Sequence, residues 1–582
     1  MDKAKKIYAD SVVDFLISHG ITNVFDLTGG MIAFLEDSIS RAKSINCIPM
    51  HHEQAAGFAA EGYSRISGRF GVAMATSGPG ATNLITAIGS CYFDSVPALF
   101  ITGQVHTNNL KKNELVRQEG FQETDIVSMV RPITKYASLV TDEKQILPEL
   151  EKAVAIMKDG RPGPVLIDIP INLQRTPHTV TVKKSQLKKP VSKVLPRVKI
   201  EDVKQFKKML QTAKAPLLLV GHGVRIANAT KALKHFQKQN HLPVVSSLLG
   251  LDVFPAHEAN MGYIGTNGNR ISNITLANAD LIIVVGSRLD VRQTGDPAFF
   301  NNSAKIVHVD IDGATLNYSI KASLSFLCDA QTFLDAVANI QTPKKEPWWH
   351  FLLHLRVNFA RVEVETKFIN PNYFFEHLSQ KATKNSLVTV DVGQNQQWLA
   401  QSWQVKEGQR VLFSGGMGAM GFALPTGVGA WFADKSRSAI VVTGDGGLQI
   451  NIQELETVAR NKIPLKIFIL NNNSLGMVRE FQDIYLKQNN YTTVEGYGNP
   501  DFKKLATAYG LAYTQIKKSD DIKKLDDILA YEGPMLIEVS IDQNAPLHPK
   551  IVFGHALDDQ SPYLSTEQKA LLESLKAKLY SG

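Results

Sequence analysis

Two short apolar runs in the last third of the chain, each followed by polar residues, constrain the fold more than any other feature. The run at 436–443 ends in Gly444-Asp445-Gly446, and the run at 464–470 ends in Asn471-Asn472. Such runs are typical of buried parallel strands, and residues 450–460 between them have the pattern of an amphipathic helix. The segment therefore predicts two parallel strands joined by a helix, with a carboxylate and an amide where the strands end.

These two polar turns predict a magnesium site. Asp445 and Asn472 would offer oxygen ligands, which Mg²⁺ prefers and usually completes with oxygens of substrate phosphates. Gly446 and Gly447 would let backbone amides approach a phosphate closely near a helix start. The alternative is an ordinary strand-helix-strand unit with a Gly-rich turn and an Asn-rich turn.

The whole chain reads as several α/β domains. Its 582 residues exceed one hydrophobic core. Short apolar runs alternate with helical patterns throughout, which argues for parallel sheets with helices on both faces. Linkers rich in Pro, Lys and Gln near 175–200 and 341–348 divide the chain. We therefore predict three doubly wound parallel-sheet domains, at 1–180, 195–340 and 360–550, and a C-terminal tail at 551–582.

Charge and composition argue against several classes of partner. The net charge is +8, but its densest cluster, at 182–189, falls in a linker without the aromatic residues of a nucleic-acid platform. No apolar run is long enough to span a membrane, and the first residues do not read as a secretory or transit signal. Cys47, Cys91 and Cys328 are too few and too scattered for a disulfide framework. We expect a cytoplasmic protein that binds neither nucleic acid nor membrane.

The magnesium motif closely resembles the diagnostic motif of thiamine diphosphate enzymes. That resemblance implies Mg²⁺ held by Asp445, Asn472 and the carbonyl of Ser474. His51-His52-Glu53-Gln54 resembles the same family's glutamate motif, which implies that Glu53 hydrogen-bonds the aminopyrimidine ring of the cofactor. An apolar, Ala- and Gly-rich setting would favour proton sharing by that carboxyl group. The alternative for Glu53 is an ordinary helix N-terminal glutamate.

A longer series of motifs is similar to the acetolactate synthase branch of that family. The series runs from Gly29-Gly30 through 77–83, Gly103-Gln104 and 120–123 to 161–164. It implies the thiamine diphosphate-binding fold, with an N-terminal pyrimidine-binding domain, a central FAD-binding domain and a C-terminal pyrophosphate-binding domain. It also implies that Gly29, Phe121 and Gln122 line the reaction pocket with Glu53.

The middle domain has segments that resemble this branch's flavin motifs. FAD is therefore the expected second cofactor, although related enzymes bind ADP or nothing in the same fold. Glycines would give room for a diphosphate and arginines would supply fixed donor forks. The residues implied are Arg161, Gly221, Gly223, Arg225, Gly286, Arg288, Asp290, Arg292, Asp310 and Ile311.

The third domain supplies the remaining contacts that the resemblance implies for thiamine diphosphate. Met420 would wedge between the two rings of the cofactor; the alternative is a buried core methionine. Many relatives have histidine where Asn395 stands, so that contact is an open question. Because the family places its cofactor at a subunit interface, Glu53 and the third domain should come from different subunits of a homodimer at minimum, with a tetramer as the alternative. The residues implied are Gly393, Gln394, Asn395, Gly418, Met420, Gly444, Gly446, Gly447, Leu475, Gly476 and Met477.

Three departures from the synthases concern the acceptor. Ile171 replaces lysine, Phe481 replaces tryptophan and Val291 replaces aspartate, whereas Arg292 is kept. Segments at 265–270, 288–295 and 557–562 resemble a yersiniose-type carboligase subgroup. We therefore predict a thiamine diphosphate- and FAD-dependent carboligase that decarboxylates pyruvate and transfers its two-carbon unit to a second carbonyl substrate, a nucleotide-linked keto-deoxysugar of branched-sugar biosynthesis. The alternatives are an acetolactate synthase, a 2-oxo acid decarboxylase or oxidase, and a basic binding protein without activity.

Overall fold

Three parallel sheets of six strands each form the framework of the molecule. The computed structural model describes residues 6–113, 115–178, 197–301, 303–359, 362, 366–552 and 554–580. Most of the predicted linker at 175–200, with the lysine cluster at 182–189, lies outside the described residues. Every strand pairing in the three sheets is parallel. The predicted α/β fold with three doubly wound sheets is therefore confirmed.

The first unit has strand order β2-β1-β3-β4-β6-β5. Successive side chains of a strand face opposite sides of a sheet; accordingly Val72 and Met74 enter one apolar core, while Ala73 and Ala75 enter the other. Its strands are β1 (Asn23–Leu27), β2 (Asn46–Pro49), β3 (Gly71–Ala75), β4 (Ala98–Gln104), β5 (Tyr136–Leu139) and β6 (Val165–Pro170). Its helices are α1 (Tyr8–Ser18), α2 (Ala33–Arg41), α3 (Glu53–Ser67), α4 (Pro79–Asn83), α5 (Ile85–Phe93), α6 (Ile126–Val130), α7 (Ile146–Lys158) and α8 (Ile171–Gln174).

The second unit has strand order β12-β11-β10-β7-β8-β9. Its strands are β7 (Pro216–Val220), β8 (Val244–Ser246), β9 (Asn260–Tyr263), β10 (Leu281–Val285), β11 (Lys305–Asp310) and β12 (Leu324–Leu327). Its helices are α9 (Ile200–Thr212), α10 (Gly223–Ile226), α11 (Thr230–Asn240), α12 (Arg270–Ala277), α13 (Val291–Thr294), α14 (Ala330–Ala336) and α15 (Glu346–Phe359).

The third unit has strand order β14-β13-β15-β16-β18-β17. Its strands are β13 (Leu387–Val390), β14 (Arg410–Phe413), β15 (Ala439–Gly444), β16 (Lys466–Asn471), β17 (Ala512–Ile516) and β18 (Met535–Ser540). Its helices are α16 (Pro371–Lys381), α17 (Gln394–Ser402), α18 (Ala423–Ala433), α19 (Asp445–Ile450), α20 (Glu454–Arg460), α21 (Gly476–Tyr485), α22 (Phe502–Ala508) and α23 (Leu525–Ala530).

The last helix, α24 (Thr566–Tyr580), returns to the second unit. Its Leu572, Leu575 and Leu579 are buried in the same apolar core as Trp348 of α15. The segment before α24 also reaches that unit, because Leu557 belongs to the same core. The predicted tail is thus packed on the middle of the chain.

One reversal of strand order in the middle of each sheet positions the candidate sites. The reversal lies between β1 and β3, between β7 and β10, and between β13 and β15. In open parallel sheets, ligands bind outside the carboxyl ends of the strands at such a reversal. The three reversals are therefore the places where the sequence motifs should gather.

Helices α3 and α18 hold the first and third units together. They approach so closely that a Cβ atom built on Gly429 would lie 1.8 Å from the Ala59 carbonyl oxygen, and one on Gly62 would lie 2.2 Å from that of Thr426. Only glycine fits at either position without moving a backbone.

Two buried aspartates connect the units further. Asp94 pairs with Arg65 at 2.8 Å and also accepts hydrogen bonds from the amides of Gly415 and Gly416. Asp252 of the second unit pairs with Arg410 of the third at 2.7 Å and with Arg225 at 3.1 Å. Burial favours the neutral acid, but the two guanidinium groups hold the pKa of Asp252 below its ordinary value.

Candidate active site

The predicted magnesium ligands lie together at the strand-order reversal of the third sheet. Asp445 follows β15 and Asn472 follows the adjacent strand β16, whose register pairs Gly444 with Leu470. Asp445 is only 2% exposed, and Asn472 and Ser474 are also buried. The parallel register thus brings the carboxylate and the amide to one edge of the sheet.

The partners of Asp445 leave its charge uncompensated. Its Oδ1 accepts a hydrogen bond from the Gly446 amide at 2.8 Å, and its Oδ2 accepts one from Asn499 Nδ2 at 2.7 Å. Burial raises the pKa of Asp445, which these hydrogen bonds oppose. Within the described residues no basic side chain forms an ion pair with it. A buried carboxylate without a counter-charge is costly, so the site fits a bound cation.

The other ligand candidates suit the same cation. Among the described residues, Asn472 Oδ1 accepts a hydrogen bond only from the Ser474 amide, at 3.2 Å. The buried Ser474 hydroxyl has no hydrogen-bond partner in the same part of the chain. Oxygen-rich donors of this kind suit a hard divalent ion such as Mg²⁺.

The amide of Gln394 joins this group from the start of α17. Its Oε1 accepts a hydrogen bond from Asn472 Nδ2 at 3.3 Å. A Cβ atom built on Gly476 would lie 2.0 Å from Gln394 Oε1, so only glycine leaves room for this contact. Asn395, whose contact was an open question, is buried and donates to the Asp391 carbonyl at 2.8 Å. The Asn395 Oδ1 faces Gly444, at 3.4 Å from a Cβ built there.

A glycine-rich loop at 415–422 lies beside these residues. Asp391 fixes it, because its carboxylate accepts hydrogen bonds from the amides of Gly421 and Ala423 at 2.9 and 3.0 Å. Burial raises the pKa of Asp391 to about 6. Gly418 has a left-handed backbone with φ +64°, which favours glycine.

Met420 extends from that loop toward the metal-ligand group. Its Cε lies 3.4 Å from a Cβ atom built on Gly446, and Leu475 Cδ2 lies 2.5 Å from the same point. Gly447 is equally tight, because its Cβ would lie 2.8 Å from Asp391 Oδ1. Met420 is half-buried, which argues against a simple core methionine. Met477 of α21, half-buried as well, packs against the apolar core on the other side.

Glu53 lies at the first position of α3, in the first unit. It is 6% exposed, and its Oε2 accepts a hydrogen bond from Asn83 Nδ2 at 2.9 Å. Its Oε1 lies 3.2 Å from a Cβ built on Gly80. These contacts stay within the first unit, whereas Asp445 belongs to the third.

The turn at 76–80 brings the other predicted pocket residues close to Glu53. A Cβ built on Gly29 would lie 2.4 Å from Thr76 Cβ, and one on Gly78 would lie 3.0 Å from Gln122 Cβ. Gln122 has a left-handed backbone with φ +66°, a strained conformation for this residue type. Phe121 beside it is 81% exposed. The structure therefore gathers Gly29, Glu53 and Gln122 around one turn, with Phe121 projecting outward.

A large cavity opens at the strand-order reversal of the second sheet. Its volume is about 1290 Å³. All ten residues predicted to bind flavin line it except Gly221. Gly221 lies behind the wall, where its Cβ would be 2.1 Å from the Gly286 carbonyl oxygen. The sequence-predicted set is thus brought together.

The walls of this cavity suit an anionic dinucleotide. Arg161 is held by Ser95 Oγ at 2.8 Å and pairs with Asp312 at 3.3 Å, and Arg288 pairs with Asp290 at 2.9 Å. Arg292 forms no ion pair within the described part of the chain. Burial and the nearby Arg65 lower the pKa of His222 to about 4, so this ring is neutral. The cavity therefore combines guanidinium groups with tight glycine turns, which suit a large anionic ligand.

The three positions that depart from the synthase pattern all lie in helices. Ile171 begins α8 and is half-buried. Phe481 on α21 is 47% exposed and stacks near Tyr485, with ring centroids 4.8 Å apart. Val291 begins α13 and is exposed.

Several residues that organise the site were missed by sequence reasoning. Asn499 binds the carboxylate of Asp445, Asp391 anchors the glycine-rich loop, and Glu480 and Lys550 form a buried ion pair beside Gln394. Asp391 directly precedes the Gly393 motif, which could have drawn attention to it. The other three lie far along the chain from their partners, so no local pattern marks them.

None of the helices in the described part of the chain combines the length and apolar character needed to cross a bilayer.

Comparison with known proteins gives matches in all three units. Residues 7–129 match the thiamine pyrophosphate enzyme N-terminal TPP binding domain, 203–337 its central domain and 391–539 its C-terminal TPP binding domain. A probable acetolactate synthase large subunit of Methanocaldococcus jannaschii is 34% identical, covering 92% of this chain and 92% of that protein. The acetolactate synthase isozyme 1 large subunit of Escherichia coli is 34% identical, covering 94% and 96%. The acetolactate synthase large subunit of Lactococcus lactis is 33% identical, covering 94% and 95%.

Proposed function

Because this chain belongs to the thiamine pyrophosphate enzymes and is an acetolactate synthase-like carboligase, we propose that it decarboxylates pyruvate and joins the two-carbon unit to a second carbonyl compound. The observation that carries the proposal is the buried, uncompensated Asp445 beside Asn472 and Ser474 at a strand-order reversal. Similarity to acetolactate synthases over nearly the whole chain supports the pyruvate donor.

The positions of the residues support the following proposed roles. Asp445, Asn472 and the Ser474 carbonyl would hold Mg²⁺, and the 415–422 loop and the amides near Gly446 would hold thiamine diphosphate. When bound, that cofactor supplies a carbanion and acts as the electron sink for decarboxylation. Glu53, which is buried, would hydrogen-bond the pyrimidine ring and exchange a proton with it. Gln122 and Gly29 line the substrate side of the pocket.

FAD is the proposed second cofactor. Its support is the cavity of about 1290 Å³ with Arg161, Arg225, Arg288 and Arg292 in its walls. In a carboligation without net redox change, a flavin there would be redox-silent. ADP would fit the same glycine turns and arginines, so absorption near 450 nm in the purified protein is the direct measurement.

We further propose that the units act as pyrimidine-binding (1–180), flavin-binding (195–340) and pyrophosphate-binding (360–550) domains in a homodimer or a tetramer built from such dimers. Exposed apolar side chains of the first and third units support a subunit interface, notably Phe121, Phe481 and Leu486. Such patches on one chain commonly mark interaction surfaces. A cytoplasmic location is supported by three cysteines that form no disulfide.

Two acceptors are proposed. The relatives favour a second 2-oxo acid, as in an acetolactate synthase. The half-exposed Phe481 and the apolar Ile171, where the synthases carry larger or cationic side chains, favour a bulkier acceptor such as a nucleotide-linked keto-deoxysugar. Losing a positive charge and aromatic volume makes a pocket roomier and less suited to a small anion.

Product analysis with ¹³C-labelled pyruvate separates these possibilities. Pyruvate is supplied alone, then with 2-oxobutyrate, then with a nucleotide-linked 4-keto sugar, in the presence of thiamine diphosphate, Mg²⁺ and FAD. Acetolactate formed rapidly from pyruvate alone supports the synthase, and a labelled branched sugar supports the sugar carboligase. Acetaldehyde or acetate as the main product would refute carboligation in favour of a decarboxylase or oxidase. Failure to bind thiamine diphosphate with Mg²⁺ in calorimetry would refute the whole proposal.

A further inference from the structure

The carboxylate of Glu480 is buried next to the proposed magnesium site, although Glu480 is not one of the proposed metal ligands. Glu480 lies on α21 and is buried. Its Oε1 receives the ammonium group of Lys550 and the amide of Leu547, the latter at 3.1 Å. Its Oε2 receives the side-chain amide of Gln394 at 3.1 Å. An ionised carboxylate only accepts hydrogen bonds, so every group that faces Glu480 must donate.

This requirement fixes the direction of the Gln394 amide. Its Nε2 donates to Glu480 Oε2 and, at 3.3 Å, to the Ala545 carbonyl oxygen, and both of these groups can only accept. The oxygen of the amide must therefore face the opposite side, where it accepts from Asn472 Nδ2 at 3.3 Å.

The direction of the Gln394 amide in turn fixes that of Asn472. With its Nδ2 engaged by Gln394, Asn472 turns its oxygen toward Ser474, whose amide donates to it. An amide in the reverse orientation would present an NH₂ group, whose partial positive charge repels a cation. Gly476 keeps the path open, because a Cβ there would lie 2.0 Å from Gln394 Oε1 and 2.8 Å from Asn472 Nδ2.

We propose that Glu480 is a positioning residue for the divalent cation, which acts through Gln394 to make Asn472 present its oxygen and not its NH₂ group to the metal. The inference rests on the proposed magnesium site. Lys550, which comes from the segment after β18, compensates the buried charge of Glu480 and so keeps it as an acceptor. Groups beyond the direct ligands commonly alter metal affinity by about 10- to 100-fold.

A double-mutant cycle tests the direction of this chain of amides. Mg²⁺ is titrated by calorimetry into metal-free protein with saturating thiamine diphosphate. Glu480→Gln is expected to raise the Kd for Mg²⁺ about tenfold, because a glutamine at 480 can donate as well as accept and no longer fixes Gln394. In an Asn472→Asp background the same change is expected to leave the Kd unchanged or lower it. The carboxylate introduced by Asn472→Asp only accepts, so it benefits when Gln394 is free to turn its NH₂ group toward it.

A purely structural role for Glu480 would raise the Kd by the same factor in both backgrounds, and that result would overturn the inference, as would no effect in either. If Glu480→Gln alone fails to fold because Lys550 is left unpaired, Glu480→Gln/Lys550→Met removes both charges and serves in its place. The matched control is Asp521→Asn/Lys524→Met, an ion pair of the same unit at 2.8 Å that does not touch the site; its Kd should equal that of the wild type. A wild type that binds no Mg²⁺ with thiamine diphosphate would refute the proposed function itself, whereas a wild type that binds and shows an additive cycle would refute only the role of Glu480.

Discussion

Asp445 is a residue at which binding and stability should respond in opposite directions. Its buried charge has no counter-charge within the described residues, and burial raises its pKa. Asp445→Asn removes a charged ligand, so we expect the Mg²⁺ Kd measured with thiamine diphosphate to rise more than about 100-fold, beyond what outer groups alone produce. The ligand-free variant should unfold at the same temperature as the wild type or higher, because the cost of burying the charge is gone.

Two measurements check this prediction together, calorimetry for the Kd and circular dichroism for thermal unfolding. Asp526→Asn is a suitable control, because Asp526 of the same unit is exposed and pairs with Lys381 at the surface. A variant that kept wild-type Mg²⁺ affinity would show that Asp445 is not a ligand.

The buried carboxyl group of Asp168 should make the free energy of unfolding depend on pH. It is buried in β6, where Thr102 and Gln104 donate to its two oxygens at 2.7 and 2.9 Å. Burial raises the pKa of Asp168 to about 7 from 3.8. Between these values the folded chain holds more protons than the unfolded chain, so the free energy of unfolding falls as pH rises through this window. Asp168→Asn should therefore stabilise the protein at pH 8, by about 4 kcal/mol at 1.36 kcal/mol per pKa unit, and have little effect at pH 4.

Thermal unfolding of the wild type and the variant at pH 4, 6 and 8 measures this difference. Asp521→Asn should behave in the opposite way at pH 8, because hydrogen bonding to Lys524 lowers the pKa of Asp521 to about 2 and its charged form is the favoured one. Equal shifts for Asp168→Asn at all three pH values would show that folding does not raise the pKa of Asp168.

Single residues differ in how far the sequence could identify them. Asp445, Asn472 and Glu53 stand in local patterns next to apolar runs, so their chemistry was predictable, and the structure brings the first two together. Glu480 and Lys550 stand in no such pattern, because their proposed role depends on an ion pair between residues that are 70 positions apart in the sequence. The roles of the site residues remain predictions.

At the scale of elements, the contact between α3 and α18 is the most sensitive to substitution. We expect Gly429→Ala to destabilise the protein by about 3 kcal/mol or more, because its Cβ would meet the Ala59 carbonyl oxygen at 1.8 Å and must push two backbones apart. Thermal and urea unfolding measure the change.

Gly313→Ala provides the matched control for the helix contact. A Cβ at Gly313 would lie 3.5 Å from Leu327 Cδ1, an ordinary contact distance, so stability should stay within about 0.5 kcal/mol of the wild type. Similar stability losses in both variants would mean that the effect reflects loss of glycine and not helix packing.

Elements were predictable where their pattern is local. The two apolar runs at 436–443 and 464–470 contain most of β15 and β16. The helix expected at 450–460 instead begins at Glu454, after a separate short helix that ends at Ile450. Asn451 separates the two, with φ −128° and its Nδ2 bound to the Gly421 carbonyl at 2.8 Å. A tertiary contact of this kind overrides the apolar periodicity and leaves no mark in the sequence.

At the scale of the whole molecule, the separation of Glu53 and Asp445 into different units makes the proposed dimer testable. If each site takes Glu53 from one subunit and Asp445 from the other, a purified heterodimer of Glu53→Gln and Asp445→Asn chains has one intact site. It should regain roughly half of the wild-type activity per dimer, although each parent homodimer is inactive. Two different affinity tags isolate the heterodimer for the assay.

The reciprocal heterodimer is the control. A Glu53→Gln/Asp445→Asn chain paired with a wild-type chain should be inactive if the sites are shared, because each site then carries one substitution. If each chain built its own site, this second heterodimer would keep half of the activity and the first would have none. The two preparations thus give opposite results for the two arrangements.

The fold class followed from the repeated alternation of apolar runs and helical patterns, which is a property of the whole chain. The return of α24 to the second unit did not, because Leu572, Leu575 and Leu579 would suit any apolar surface. The contacts that Asp94 and Asp252 make between units could not be predicted from the sequence either, because each depends on which distant segments of the chain come together. Boundaries between the domains remain predictions.

The backbone contact of Gly62 and Gly429 also limits how this protein can be recombined with its relatives. A chimera that exchanged only the N-terminal third would set a foreign α3 against the native α18, and a donor with a side chain in place of Gly62 would push the two helices apart. Chimeras that take the first and third units together from one relative, and keep the middle unit of this chain, would preserve the contact between α3 and α18.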